Sequence, residues 1–166
     1  MDPALDRLAA IDKIAAFTSV EVGATLRELG VTSLEGVDPK TRPRIEAGAG
    51  ILGVDYVRML RLRAAAIAAF EAQMSDDTLY LLPTTPIQAP TIASVADDAG
   101  FARANGLVLR NPRVANLLDC PSFSLPAPVA DGGLPVGLMF IGRRNADRHV
   151  LAMAAKPVDD GGDRRP

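Results

Sequence analysis

The nine residues Leu134 to Gly142, LPVGLMFIG, carry no charge and are apolar at odd and even positions alike. Successive side chains of a strand point to opposite faces, so a strand apolar throughout needs a sheet covered on both sides. This segment therefore predicts a central strand in an α/β arrangement. Two further short apolar runs predict strands beside it: TLYLLP, from Thr78 to Pro83, and SFSLPAPV, from Ser122 to Val129, with ADGG as the turn that follows. Three such strands make a poor sheet alone, because each face needs cover and each edge a partner. The chain reads as an incomplete domain.

The first half predicts helices. Asp2 is placed to cap a helix with Pro3 at its first position, and Leu5, Leu8, Ile11 and Ile14 recur at a helical interval. TSVE, from Thr18 to Glu21, has the capping-box pattern, followed by Val22, Leu26 and Leu29 as one apolar stripe and Gly30 at the helix end. Asp38-Pro39 predicts a short helix interrupted near Pro43. The segment DYVRMLRLRAAAIAAFEAQM predicts a long helix capped by Asp55, with Tyr56, Leu60, Ile67 and Phe70 near one face and an alanine run suited to close packing. Asn111 and Asn145 are read as caps of two later helices, the second ended by Pro157.

Composition excludes several classes. The formal net charge is −2 and no basic block stands out, so no nucleic-acid partner is expected. The uncharged run Thr78 to Ala96 contains Pro83, Pro86 and Pro90, which in lipid would leave backbone groups unpaired, so no membrane span is expected. The first residues lack the apolar stretch of a signal peptide, and a single cysteine cannot form an internal disulfide. A cytoplasmic location is expected, with no cofactor and no metal, since one His and one Cys offer no metal-ligand spacing.

Four groups of residues invite a functional reading, and each has a plainer one. GAGILG, from Gly48 to Gly53, matches the dinucleotide fingerprint, but the charged, proline-containing TRPRIEA before it is no buried strand. A glycine joint between helices is the better reading. Cys120 and His149 are the one Cys–His pair available for a thiol hydrolase, with Asp147 as the orienting group. Side chains two apart on a helix do not face each other, which favours a core thiol and a helix-surface histidine. Ser122 and Ser124 share one face of a strand, and no base lies near them in sequence, so hydrogen bonding within a buried sheet is favoured. The three lysines, Lys13, Lys40 and Lys156, are read as exposed on helices or near a terminus.

Together, LLPTTPIQAP, LRNPRVANLLDCPSFSLPAPVADGGLPVGLMFIG and ADRHVLAMAA resemble the C-terminal part of the amidase signature family, and DPKTRPRIEAGAGILGVDYVRMLRLRAAAIAAF resembles the helical segment before it. The resemblance covers roughly Asp38 to Ala155. It divides the chain into N-terminal helices at 1–37, an amidase-like segment at 38–155 and a tail at 156–166 expected to be disordered. The implied fold is α/β: the C-terminal part of a large mixed sheet flanked by helices, with a helical first half and three main strands in the second. The implied chemistry is hydrolysis of carboxamide C–N bonds.

The family's Ser–Ser–Lys triad belongs to its N-terminal part, and no G-G-S-S-G-G-like run occurs here, so no catalytic residue carries over. The chain then reads as the final third of a hydrolase, inactive alone, or as a structural partner completing a split enzyme. Its partner would be the missing N-terminal portion or a second copy. Substrate contacts, if any, are expected at Thr84, Thr85 and Asn116, because ligands favour loops at strand ends in α/β sheets. Two departures from the family pattern stand out. Asp119 takes a position where glycine is usual, and Met139 one where glutamine is common.

Overall fold

The computed structural model describes residues 2–128 and 133–155. Most of the ADGG turn and the whole tail at 156–166, with Lys156 and Pro157, lie outside the described residues. The first helix, α1 (Pro3–Asp12), begins as its sequence dictates: the Asp2 carboxylate accepts from the Ala4 N–H at 2.8 Å, and Pro3 opens the first turn. Its buried face, Ala4, Leu8 and Ile11, packs on α4 (Gly53–Glu71), which contributes Met59, Ala66 and Phe70. Ala4 and Ala66 are both fully buried, which allows the two helices to approach closely.

The second helix, α2 (Phe17–Glu28), starts earlier than the capping box predicts. Ala16 occupies the cap position without a side-chain bond, and Thr18 lies inside the helix. The buried Phe17 ring meets Tyr56 edge-on at 5.8 Å. Burying an aromatic ring outweighs the ~1 kcal/mol of a cap. The stripe read along α2 is largely exposed, Leu29 most of all at 72 %. Gly30 does end the helix, at φ 71°, with the Val31 N–H returning to the Leu26 carbonyl at 2.9 Å.

Asp38-Pro39 forms a turn rather than a helix start: the Asp38 carboxylate accepts from the Lys40 N–H at 2.8 Å. Helix α3 (Arg42–Glu46) follows, and Pro43 sits in its first turn, where its missing N–H costs nothing. Asp55 does not cap α4. Leu52 holds that position, leaving Asp55 in the first turn near the positive end of the helix. Leu60 is 42 % exposed, since the buried stripe runs through Met59.

The sheet is three-stranded and antiparallel, in the order β1 (Tyr80–Pro83), β3 (Val136–Ile141), β2 (Ser122–Ala127). The strand apolar on both faces is the central one, as its pattern requires. One face carries Tyr80, Leu82, Met139 and Ile141 onto the helical core, with Phe70 meeting Tyr80 edge-on at 5.7 Å. Met139 is buried there, so its position is one of packing. Ser122 and Ser124 do share a face, but both are exposed, not buried.

Helix α5 (Asp98–Arg110), for which the sequence reading makes no assignment, precedes α6 (Pro112–Leu118). Asn111 holds the cap position of α6, yet its amide donates to the Pro83 carbonyl at 2.7 Å, tying the helix to the sheet edge. The last helix, α7 (Asp147–Ala154), is preceded by Asn145 at φ 59°. Asn145 turns the chain, and Ala146 takes the cap position.

Candidate functional site

The sheet's end brings Thr84 to Ser124. The Thr84 N–H continues the ladder to the Gly137 carbonyl at 2.8 Å, and the two hydroxyls lie 2.5 Å apart. They close over Gly137, where a β-carbon would stand 2.6 Å from both oxygens. The closing glycine of GLPVG is thus fixed by close approach. The Thr85 hydroxyl donates to the Ile87 carbonyl at 2.9 Å and locks the turn. Asn116 is exposed on α6 and lines a different hollow. The three expected contact residues therefore do not converge on one site.

That hollow is half of a longer groove. Two cavities of about 470 Å³ each share Arg44, Leu109 and Arg113. One adds Pro39, Lys40 and Phe101; the other adds Phe17, Arg63 and Asn116. Lys40 is not the exposed lysine its sequence context predicts. Its ammonium donates to the carbonyls of Val95 and Ala96 at 3.0 and 3.1 Å and lies 5.0 Å above the Phe101 ring. Arg113 pairs with Asp12 at 2.8 Å. Arg63 donates to the Leu117 carbonyl at 2.8 Å and pairs with Asp119. Among the described residues the Arg44 side chain has no hydrogen-bond or ion-pair partner, so it is the cation left available in the groove. Sequence reading missed the groove because its walls, near residue 40 and along α5, are over fifty residues apart. The cap at Asp97, which accepts from the Gly100 N–H at 2.6 Å, was the available signal for α5.

Asp119 closes α6 in the left-handed conformation, at φ 55° and ψ 38°. The family's usual glycine fits this geometry, since a β-carbon there costs roughly 1–2 kcal/mol. The aspartate offsets the strain through its carboxylate, which joins Arg63 of α4 to Arg144 at 3.0 Å. Arg144's own N–H donates to Glu71 at 3.0 Å. Both ion pairs are partly exposed and worth about 0.2–1 kcal/mol each. Asp119→Gly should therefore shift stability by less than about 1 kcal/mol. Asp119→Ala keeps the strain, loses both pairs and should cost about 1–2 kcal/mol in urea unfolding.

Cys120 follows, half-buried against the core, with its thiol donating to the Leu118 carbonyl at 3.4 Å. Burial, aided by Glu71 and Asp119 and opposed by Arg144, pushes the thiol up from 9.0 to about 11. A nucleophilic cysteine requires the opposite shift. His149 is exposed on α7, and no hydrogen bond joins it to Cys120 among the described residues. Carboxymethylation at pH 8 should run about a hundredfold slower than for a free thiol, in proportion to the thiolate fraction. Because the fold favours the neutral thiol, this group's contribution to stability is intact below pH 9 and falls as pH rises towards 11.

GAGILG is a joint between helices. Helix α3 leads into a 3₁₀ turn at Ala47–Gly50, Gly53 opens α4, and no strand precedes it among the described residues. Gly48 is buried against the backbone of α2.

The helical core, the three strands in this order and the closing helix are what an Amidase family model matches, over residues 8–151. The chain belongs to this family. Among curated Amidase-like relatives, it is 25 % identical over 134 residues to 2-amino-5-chloromuconic acid deaminase of Comamonas testosteroni, covering 81 % of this chain and 29 % of the relative. It is 29 % identical over 137 residues to a glutamyl-tRNA(Gln) amidotransferase subunit of Neisseria meningitidis, covering 79 % and 28 %. A variant of Kluyveromyces lactis allophanate hydrolase superposes with a TM-score of 0.70 over 92 % of this chain and 24 % of that one, at 22 % identity, which shows a shared fold. The chain thus spans less than a third of the length of these relatives. Among the described residues, no helix is long and apolar enough to cross a membrane.

Proposed function

We propose that this chain is the closing portion of an amidase-type hydrolase, acting in the cytoplasm on carboxamide C–N bonds and inactive until joined by the rest of such an enzyme. The observation that carries this is the family match over residues 8–151 in a chain that spans under a third of its relatives. Amide hydrolysis needs an activated nucleophile and a base within hydrogen-bond reach. Cys120 holds its proton, the Ser124 hydroxyl meets Thr84, and the Lys40 ammonium donates to two carbonyls. None of these groups is arranged to attack a carbonyl, so the nucleophile and its base come from the other portion. The same facts count against a thiol hydrolase built on Cys120 and His149.

This portion supplies structure and one binding element. Arg44, uncommitted beside the apolar Phe101 and Leu109, supports an amide substrate that also bears a carboxylate, as the name of the Comamonas deaminase's substrate does. Thr84 and Thr85 hold the loop after β1 rather than presenting free hydroxyls, and Asn116 remains the polar group of the second hollow. The test is amide turnover by the purified chain, alone and co-expressed with the complementary portion of an amidase. The expected result is no turnover alone and turnover together. Turnover by the pure chain that survives both Cys120→Ala and Ser124→Ala overturns the reading.

A further inference from the structure

Helix α5 turns one whole face to the groove. Asp98, Phe101, Ala102, Asn105, Gly106 and Leu109 line it, and their spacing of three and four residues is that of a single helical face. Ala102, Gly106 and Leu109 are exposed on that face. The two glycines of this helix have different causes. Gly100 is set by the fold, because a β-carbon there would stand 2.3 Å from the Ser94 carbonyl oxygen. At Gly106 a β-carbon would meet nothing within 4 Å, and the backbone has no positive φ. Glycine is the weakest helix former after proline, so α5 forgoes stability at Gly106 with no neighbour requiring it. Its effect is on the groove: a side chain at 106 would project into the cavity of about 470 Å³ beside it.

The walls beside this bare floor are apolar and held in place. Lys40 fixes Phe101, its ammonium 5.0 Å above the ring while it donates to the carbonyls of Val95 and Ala96. Leu109 and the rings of Pro39 and Pro43 continue the lining. Arg44 stands where the two cavities meet. The second cavity is lined by Glu21, Arg63 and Asp119, so an apolar body anchored at Arg44 is better placed along α5. An apolar cavity of about 150 Å³ is enough for one benzene ring, so the α5 side has room for a fused pair and a carboxylate. A straight chain needs only a narrow channel. A floor without a side chain serves a wide, flat body.

We propose that Gly106 sets the specificity of this groove: its missing side chain admits a ring-bodied carboxylic acid, laid flat on α5 between Phe101 and Leu109 with its carboxylate on Arg44. This rests on the reading of Arg44 as a carboxylate anchor, and it names the substrate class as amide acids built on a ring rather than on a straight chain. The groove needed for this recognition lies on the chain itself, so binding requires no other portion of the enzyme.

The probes are naphthoate and hexanoate, two monocarboxylates that differ in width. Each is titrated into the full chain and followed through the amide resonances of α5. Naphthoate should bind the more tightly. Gly106→Leu should weaken naphthoate at least about tenfold and leave hexanoate within about twofold. Its melting transition should rise, because leucine is the better helix former. A purely structural role for Gly106 would not raise stability and remove only the wider ligand. Gly23→Leu is the matched control, since Gly23 lies in α2 and a β-carbon there also meets nothing within 4 Å. It should leave both affinities unchanged. If Gly106→Leu does not fold, Gly106→Ala carries the same test with a loss of about threefold. Arg44→Gln should weaken both acids alike, by about tenfold.

No shift of the α5 amides with either acid, or naphthoate bound as tightly by the folded Gly106 variant as by the parent, overturns the proposal. The outcomes also separate it from the reading it rests on. Naphthoate binding that falls with Gly106→Leu but survives Arg44→Gln leaves Gly106 as the filter of ligand width and removes the carboxylate anchor. A loss confined to Arg44→Gln does the reverse.

Discussion

Phe70→Ala is expected to abolish cooperative unfolding of the lone chain at room temperature. Phe70 is 1 % exposed and is the largest fully buried side chain among the described residues, reaching from α4 towards β1 with Tyr80 edge-on to it. Truncating a buried phenylalanine costs about 3–5 kcal/mol, from lost transfer energy plus the cavity left behind. A whole domain is stable by only about 5–15 kcal/mol. This chain, with one sheet face open and an edge unpaired, belongs at the low end of that range. Urea titration followed by circular dichroism should therefore show a sloping baseline for Phe70→Ala where the parent shows a transition. Phe70→Leu, which keeps most of the volume, should retain the transition at a lower midpoint. A Phe70→Ala midpoint within experimental error of the parent would mean that Phe70 does not join the helices to the sheet.

Gly48→Val should separate α2 from the rest of the molecule. A β-carbon at Gly48 would stand 2.0 Å from the Ser19 carbonyl oxygen and 2.4 Å from its carbon. These are backbone atoms and cannot swing aside, so the helix must move as a unit. Overpacking of this kind costs about 1–3 kcal/mol and occasionally more, and here it falls on a contact between two backbones. Gly48→Ala brings the same first clash and should already show most of the effect. Hydrogen exchange is the suitable measurement, because the amides of α2 should lose protection while those of α4 keep theirs. Gly50→Ala, whose β-carbon meets nothing within 4 Å, is the matched control.

Sequence patterns reveal those features whose cause is local. The Asp2–Pro3 start of α1 needs only its own residues, and the central place of β3 follows from its uniform apolarity. The left-handed turn at Asp119 coincides with the one position where a usual glycine is replaced. Features decided by distant contacts are not legible. The start of α2 depends on Tyr56, nearly forty residues away, and the side chain of Asn111 answers to Pro83 rather than to its own helix. For Ser122 and Ser124 the pattern yields the right shared face and the wrong burial, because period two gives alternation but not which side is covered. The groove is least visible of all, since Arg44, Leu109 and Arg113 meet only after both helical segments are in place.

Lys40 turns the long segment after β1 into a span fastened at both ends: Thr84 holds one end to Gly137, and the Lys40 ammonium holds the carbonyls of Val95 and Ala96 at the other. With only three lysines in the chain, this fastening has a natural reporter. An amine-acetylating reagent competes for the same nitrogen that grips the two carbonyls. Its uptake at Lys40 relative to the exposed Lys13, read by mass spectrometry, measures how often the far end of the span lets go. Closure of the groove around a ligand would register as a fall in that ratio, without any label added to the groove itself.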